Sequence, residues 1–119
     1  MTTPNIRTAS TITAGNAVQL ADVTATAVVS NASTSNKLQK ISVLSLCNVS
    51  ASTACAATVA VSNGTTAFNL LAGVTIYNAL PRIVISRENP VYLTEGDSLV
   101  VSAASSGYIE VVCGYEEVQ

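Results

Sequence analysis

The feature that most restricts this chain is a two-residue alternation of apolar and polar side chains that restarts again and again along its length and never lengthens into a helical period. It is plainest in the last third. Leu99, Val101 and Ala103 alternate with Ser98, Val100 and Ser102; after a Ser105-Ser106-Gly107 turn, Ile109, Val111, Cys113 and Tyr115 alternate with Glu110, Val112, Gly114 and Glu116. A period of two puts each set on one face of a strand. No segment holds 3.6-residue spacing in good helix formers for three turns, so there is no crossover helix with which to build a parallel sheet.

The rest of the chain reads in the same vocabulary. Val18–Ser30 predicts a strand or a kinked pair, and Asn31–Asn36 is a polar loop. Leu38–Cys47 predicts a strand with Ile41, Val43, Ser45 and Cys47 on one face and Leu44 and Leu46 on the other, apolar on both sides and therefore covered on both. Ala57, Val59 and Val61 lead to Asn63-Gly64, a strong hairpin signal. Phe68–Leu71 and Val74–Tyr77 are separated by Gly73, Arg82–Ser86 follows the Asn78–Pro81 break, and Thr94–Asp97 is a turn with Gly96 where positive φ is cheapest. Gly73, Gly96 and Gly107 are all assigned to turns.

About eight short strands at spacings of roughly 8 to 12 residues predict an all-β antiparallel β-sandwich or jelly roll, and the same alternation fits an immunoglobulin-like order. With 119 residues the chain supports one core. Residues 17–119 are assigned to a single sandwich domain. Residues 1–16 are assigned to an extended N-terminal arm, because Thr8–Ala17 carries little large apolar content and reads as an arm or a weak edge strand.

Composition bears on what such a sandwich does. Only 10% of residues are charged and none between Lys40 and Arg82 is, while 49% are hydrophobic and mean hydropathy is +0.46; soluble domains carry roughly 25% charge. Scattered charge is what normally keeps sheet proteins from sticking to their neighbours. Its depletion points to a homo-oligomer. Interspersed Ser, Thr and Asn leave no apolar run of about 20 residues, so no membrane-spanning helix is expected. Met1–Arg7 lacks the pattern of a signal peptide, and synthesis and folding in the cytoplasm are expected. Five basic residues and a pI near 4.8 offer nucleic acid no patch.

The inventory for chemistry is thin. There is no His, hence neither the commonest general base nor the commonest transition-metal ligand. Cys47, Cys55 and Cys113 lack zinc-site spacing. Cys47 and Cys55 flank a loop and could be bridged, but an odd count and a cytosolic origin favour free buried thiols. Glu95 and Asp97 suggest a cation site, yet calcium needs five or more oxygen ligands, and the better reading is a turn in which Asp97 bonds backbone amides. Asn31, Asn48 and Asn63 match the glycosylation sequon as accidents of composition. Tyr77, Tyr92, Tyr108 and Tyr115 could line a sugar-binding face or pack at core margins. No catalytic, cofactor-binding or metal-ligating residue is assigned, and no enzyme activity is expected.

The run Val91–Ser102 (VYLTEGDSLVVS) followed by Gly107–Glu117 (GYIEVVCGYEE) resembles the C-terminal hairpin of small β-sandwich virion proteins of tailed bacteriophages, cyanophages among them. There, an L-x-x-GD-x-L-x-V strand pair precedes a closing strand with an acidic tail; Leu38–Asn48 and Ala56–Ser62 also look like paired strands of that sandwich. The resemblance implies a head decoration (cement) protein, or alternatively a neck, tail or fibre component, located in the virion and partnered by its own copies, with trimers the first expectation, and by the major capsid protein or other virion proteins. It carries no catalytic residues. A carbohydrate-binding module is the reading of a different class. The contact bet is the arm, Thr2–Ala14.

Overall fold

The alternation is realised as nine β-strands among residues 11–50, 52–78 and 80–119, which the computed structural model describes. They are β1 (Ile12–Leu20), β2 (Thr26–Ser30), β3 (Leu38–Asn48), β4 (Cys55–Ser62), β5 (Ala67–Ile76), β6 (Arg82–Ile85), β7 (Val91–Leu93), β8 (Ser98–Ala103) and β9 (Ile109–Val118). No described residue is helical.

Two antiparallel sheets stack as a sandwich. One runs β1-β9-β3-β6, with β7 also paired to β3, and the other runs β2-β8-β4-β5. Strands β1 to β4 alternate between the sheets. That interleaving is not the immunoglobulin order, in which the first two strands are neighbours in one sheet. Asn63-Gly64 does turn the β4–β5 hairpin as expected: Asn63 N–H donates to Thr66 O at 3.1 Å, and the Asn63 carboxamide oxygen accepts from the Thr65 and Thr66 amides.

The inner faces supply the core. Ile41, Leu44, Leu46 and Leu93, together with Ile109, Val111 and Cys113 of β9, from one sheet meet Val59, Leu99 and Val101 from the other, all essentially without solvent contact. Each large aliphatic side chain buried this way contributes about 1.5–3 kcal/mol. On β8 and β9 the inward set is the one predicted from the alternation.

Two expectations are corrected. First, Ile41 faces inward with Leu44 and Leu46 instead of outward with Val43, because a bulge between Ile41 and Val43 inserts an extra residue, Ser42, and switches the parity of β3. Second, Gly73 lies within the continuous strand β5, not in a turn; its φ of +57° and its amide bond to Thr58 Oγ1 at 2.9 Å mark a bulge. Of the segment Thr8–Ala17, read as an arm or a weak edge strand, residues 12–17 take the second form and open β1, an edge strand whose ladder with β9 runs without interruption from Ile12–Val118 to Leu20–Glu110. Residues 1–10 of the arm lie outside the described residues.

The Val18–Ser30 segment is a kinked pair. Ala21 N–H donates to Ile109 O, whereas Asp22 O accepts from Ala103 N–H, both at 2.9 Å, so within two residues the chain passes from the edge of one sheet to the edge of the other. Opposite Gly15 lies Tyr115, whose ring would stand 3.1 Å from a Cβ placed there; glycine lets the tyrosine lie across β1 and pack against the core.

Candidate assembly surface

The outer face of the five-stranded sheet carries rows of exposed apolar side chains. Register places Val18, Val112, Ser45 and Ile83 in one row across β1, β9, β3 and β6, with Leu20, Glu110 and Cys47 in the next row. Val18 is 72% exposed, Leu20 58%, Ile83 55% and Val112 44%, and Val43 beside them is 37% exposed. A shallow depression of about 450 Å³ lies among these rows, floored by Ser45 and Cys47 and walled by Val18, Leu20 and Val112, with Glu110 as its one charged group. Single exposed aliphatics are ordinary, but rows of them on one sheet face mark a surface that meets something.

Among the described residues, nothing pairs with the outer edge of β1 in the same sheet. β1 contains no charge, no proline and no bulge, and these are the usual devices that stop strands adding to one another. The edge strand β5 is also uncharged, but it is bent by register shifts at Ala57/Val59 and Val59/Ala60.

The ends of the sandwich are tied by buried polar groups. Asn31 donates through Nδ2 to Lys37 O and Leu93 O, both at 2.9 Å, and its Oδ1 accepts from the Ser35 hydroxyl, while backbone bonds link Asn31 to Gly96 and Asp97. Asn48 does the same for the next loop, donating to Thr53 O and Ile76 O and accepting from Ser50 N–H. Gln39 donates to Ser30 O and to Glu117, which also pairs with Lys37 at 3.6 Å.

The residues weighed for chemistry fall apart in space. Glu95 accepts from Asn36 N–H at 3.1 Å, whereas Asp97 accepts from the Thr94 amide and hydroxyl at 3.0 and 2.8 Å, the local turn expected for it. Among the described residues no three His, Cys, Asp or Glu side chains gather as a metal site. The three cysteines are free: Cys47 is on the outer face of one sheet and Cys55 is in the core at the start of the other. Burial pushes the Cys113 thiol up to about 11. Of the sequon residues, Asn31 and Asn48 are buried and Asn63 is exposed. Tyr108 and Tyr115 pack against the core, while Tyr77 follows β5 and Tyr92 lies in β7 of the opposite sheet, so the four make no common platform.

Sequence reasoning pointed to charge depletion but not to this face. The missing signal is the β3 bulge, which decides that Val43, Ser45 and Cys47, without Ile41, look outward.

No protein-family model matches the chain, and no curated protein matches it in sequence. Solved structures do. Two crystal structures of a pentameric capsid protein isolated from metagenomic phage sequences align with a TM-score of 0.44 and 16% identity, over 84% of this chain. The chain spans 59% and 60% of the length of those proteins. A likeness that distant does not carry their assembly or function to this chain.

Proposed function

We propose that this chain is a non-enzymatic structural subunit of a phage virion, acting as a decoration or cement protein that clamps neighbouring capsid subunits. The observation that carries the reading is the pairing of an apolar outer sheet face, charged in its depression only at Glu110, with an uncharged edge strand on the same sheet that, among the described residues, pairs on one side only. A free monomer gains nothing from such a surface. A subunit in permanent contact with its neighbours gains burial, and standard contacts cover about 800 Å² per partner.

Two further considerations support it. The Val91–Glu117 segment resembles virion sandwich proteins, and the strand order is compatible with an eight-stranded jelly-roll winding in which the sixth strand is split into β6 and β7. Jelly rolls recur in viral capsids and also in lectins, so this is an analogy of fold, not of site. In the particle the chain is a symmetric homo-oligomer, with trimers at local threefold positions the first arrangement to test.

The test is cryo-electron microscopy of particles carrying the chain, together with binding of the purified chain to heads that lack it. Density on the outer capsid lattice in many copies supports the reading; density confined to neck, tail or fibre moves the subunit there. Deleting residues 2–10 and, separately, 2–14 divides the contribution of the N-terminal segment from that of the first residues of β1. Undiminished occupancy in both would count against the arm. A glycan array with Tyr77→Ala and Tyr92→Ala controls tests the carbohydrate alternative, and specific binding there without particle occupancy would replace the virion reading.

A further inference from the structure

Among the described residues β1 pairs only with β9, and its other edge has a defined hydrogen-bonding parity. Thr11 and Gln119 exchange both backbone bonds, at 3.1 and 3.0 Å, and Ala21 N–H donates to Ile109 O. In the unbroken register that follows, the odd-numbered residues of β1 bond to β9, and Ile12, Ala14, Asn16, Val18 and Leu20 direct both N–H and C=O away from it. An edge with that many unused groups in one straight strand is a template for another strand.

We propose that the strand it takes is β1 of a second copy, antiparallel about a twofold axis through Asn16, so that two five-stranded sheets become one continuous sheet. The sequence of β1 is self-complementary in this register. Ile12 stands opposite Leu20 of the second copy, Ala14 opposite Val18, and Asn16 opposite its own equivalent, with two bonds at each of the five pairs. All of these side chains lie on the outer face, so Ile12, Val18 and Leu20, which are 57%, 72% and 58% exposed, cover one another across the seam.

Charge is compatible as well. Glu116 lies beside Ala14 and Glu110 beside Leu20. Across the seam Glu116 therefore shares a row with Val18 and Val112 of the second copy, and Glu110 shares one with Ile12 and Val118, so no row holds two carboxylates. The other edges suit pairing less: β2, β6 and β7 have 5, 4 and 3 residues, and β5 is bent by its bulges. This proposal rests on the assembly reading above and names its partner and register, but it puts a twofold seam in place of an isolated trimer and leaves the remaining outer face free for other contacts.

The experiment is size-exclusion chromatography with light scattering on the full chain at about 100 µM, a load at which even weak strand pairing registers. The expected mass is an even multiple of 12.1 kDa. Asn16→Pro removes an N–H that β9 does not use and blocks the seam; it should halve the mass with an unchanged far-UV spectrum. Should that variant misfold, charge variants at exposed positions decide. Ala14→Glu and Val18→Lys each raise the dissociation constant about tenfold, and together they restore it to within about threefold, because only this register sets residue 14 against residue 18. A monomeric wild type, an odd-numbered oligomer, a folded Asn16→Pro of unchanged mass, or failure of the double variant to recover would each overturn the seam. An odd oligomer that still decorates particles would do so while leaving the virion reading intact.

Discussion

Asn31 shows what one side chain contributes to this fold. Its carboxamide satisfies two buried carbonyls and a hydroxyl at the point where the 31–37 loop meets the Thr94–Asp97 turn. Asn31→Ala leaves the Lys37 and Leu93 carbonyls without that donor, at about 1–3 kcal/mol for each group left unsatisfied. A loss of about 2–4 kcal/mol in urea unfolding is expected, against little change for the exposed Asn63→Ala. Sequence marked residues 31–36 as a loop but could not tell a buried asparagine from a solvated one, because both answer to the same local turn preference. Cys113 supplies a pH effect. Burial raises its thiol from 9.0 to about 11, so the unfolded chain releases this proton before the folded one does, and the stability present below pH 9 declines as pH rises towards 11. Cys113→Ala should flatten that alkaline limb in denaturation curves taken from pH 8 to 11, whatever it costs at neutral pH; an identical slope in both proteins would assign the loss elsewhere.

At the scale of elements, β3 departs most from simple alternation. The extra residue at Ser42 lets Leu38–Ile41 and Leu44–Asn48 lie in one strand while facing the core with different parity. Deleting Ser42 should therefore turn Ile41, a fully buried side chain, towards solvent or force the β3–β9 register to slip, and soluble folded protein should be lost. Ser42→Ala keeps the count and should shift stability by no more than about 0.5 kcal/mol. Soluble yield and near-ultraviolet circular dichroism separate the two outcomes. β8 and β9 needed no such correction, since their inward residues were legible one by one. β5 was read as two pieces because glycine usually ends a strand, whereas here Gly73 bends one.

For the whole molecule, the sequence by itself determined the class of fold. Short β-branched alternation without a helical segment leaves a core only one route, two antiparallel sheets face to face. The tertiary structure decided the strand order, the place of β1 and which face stays apolar and open. Alternation is information about neighbours two residues apart, whereas β1 is held by β9 from the opposite end of the chain. Which strand lies beside which follows from how the whole set of apolar faces closes over one core, and a bulge of one residue is enough to choose what each side of a strand shows to the outside.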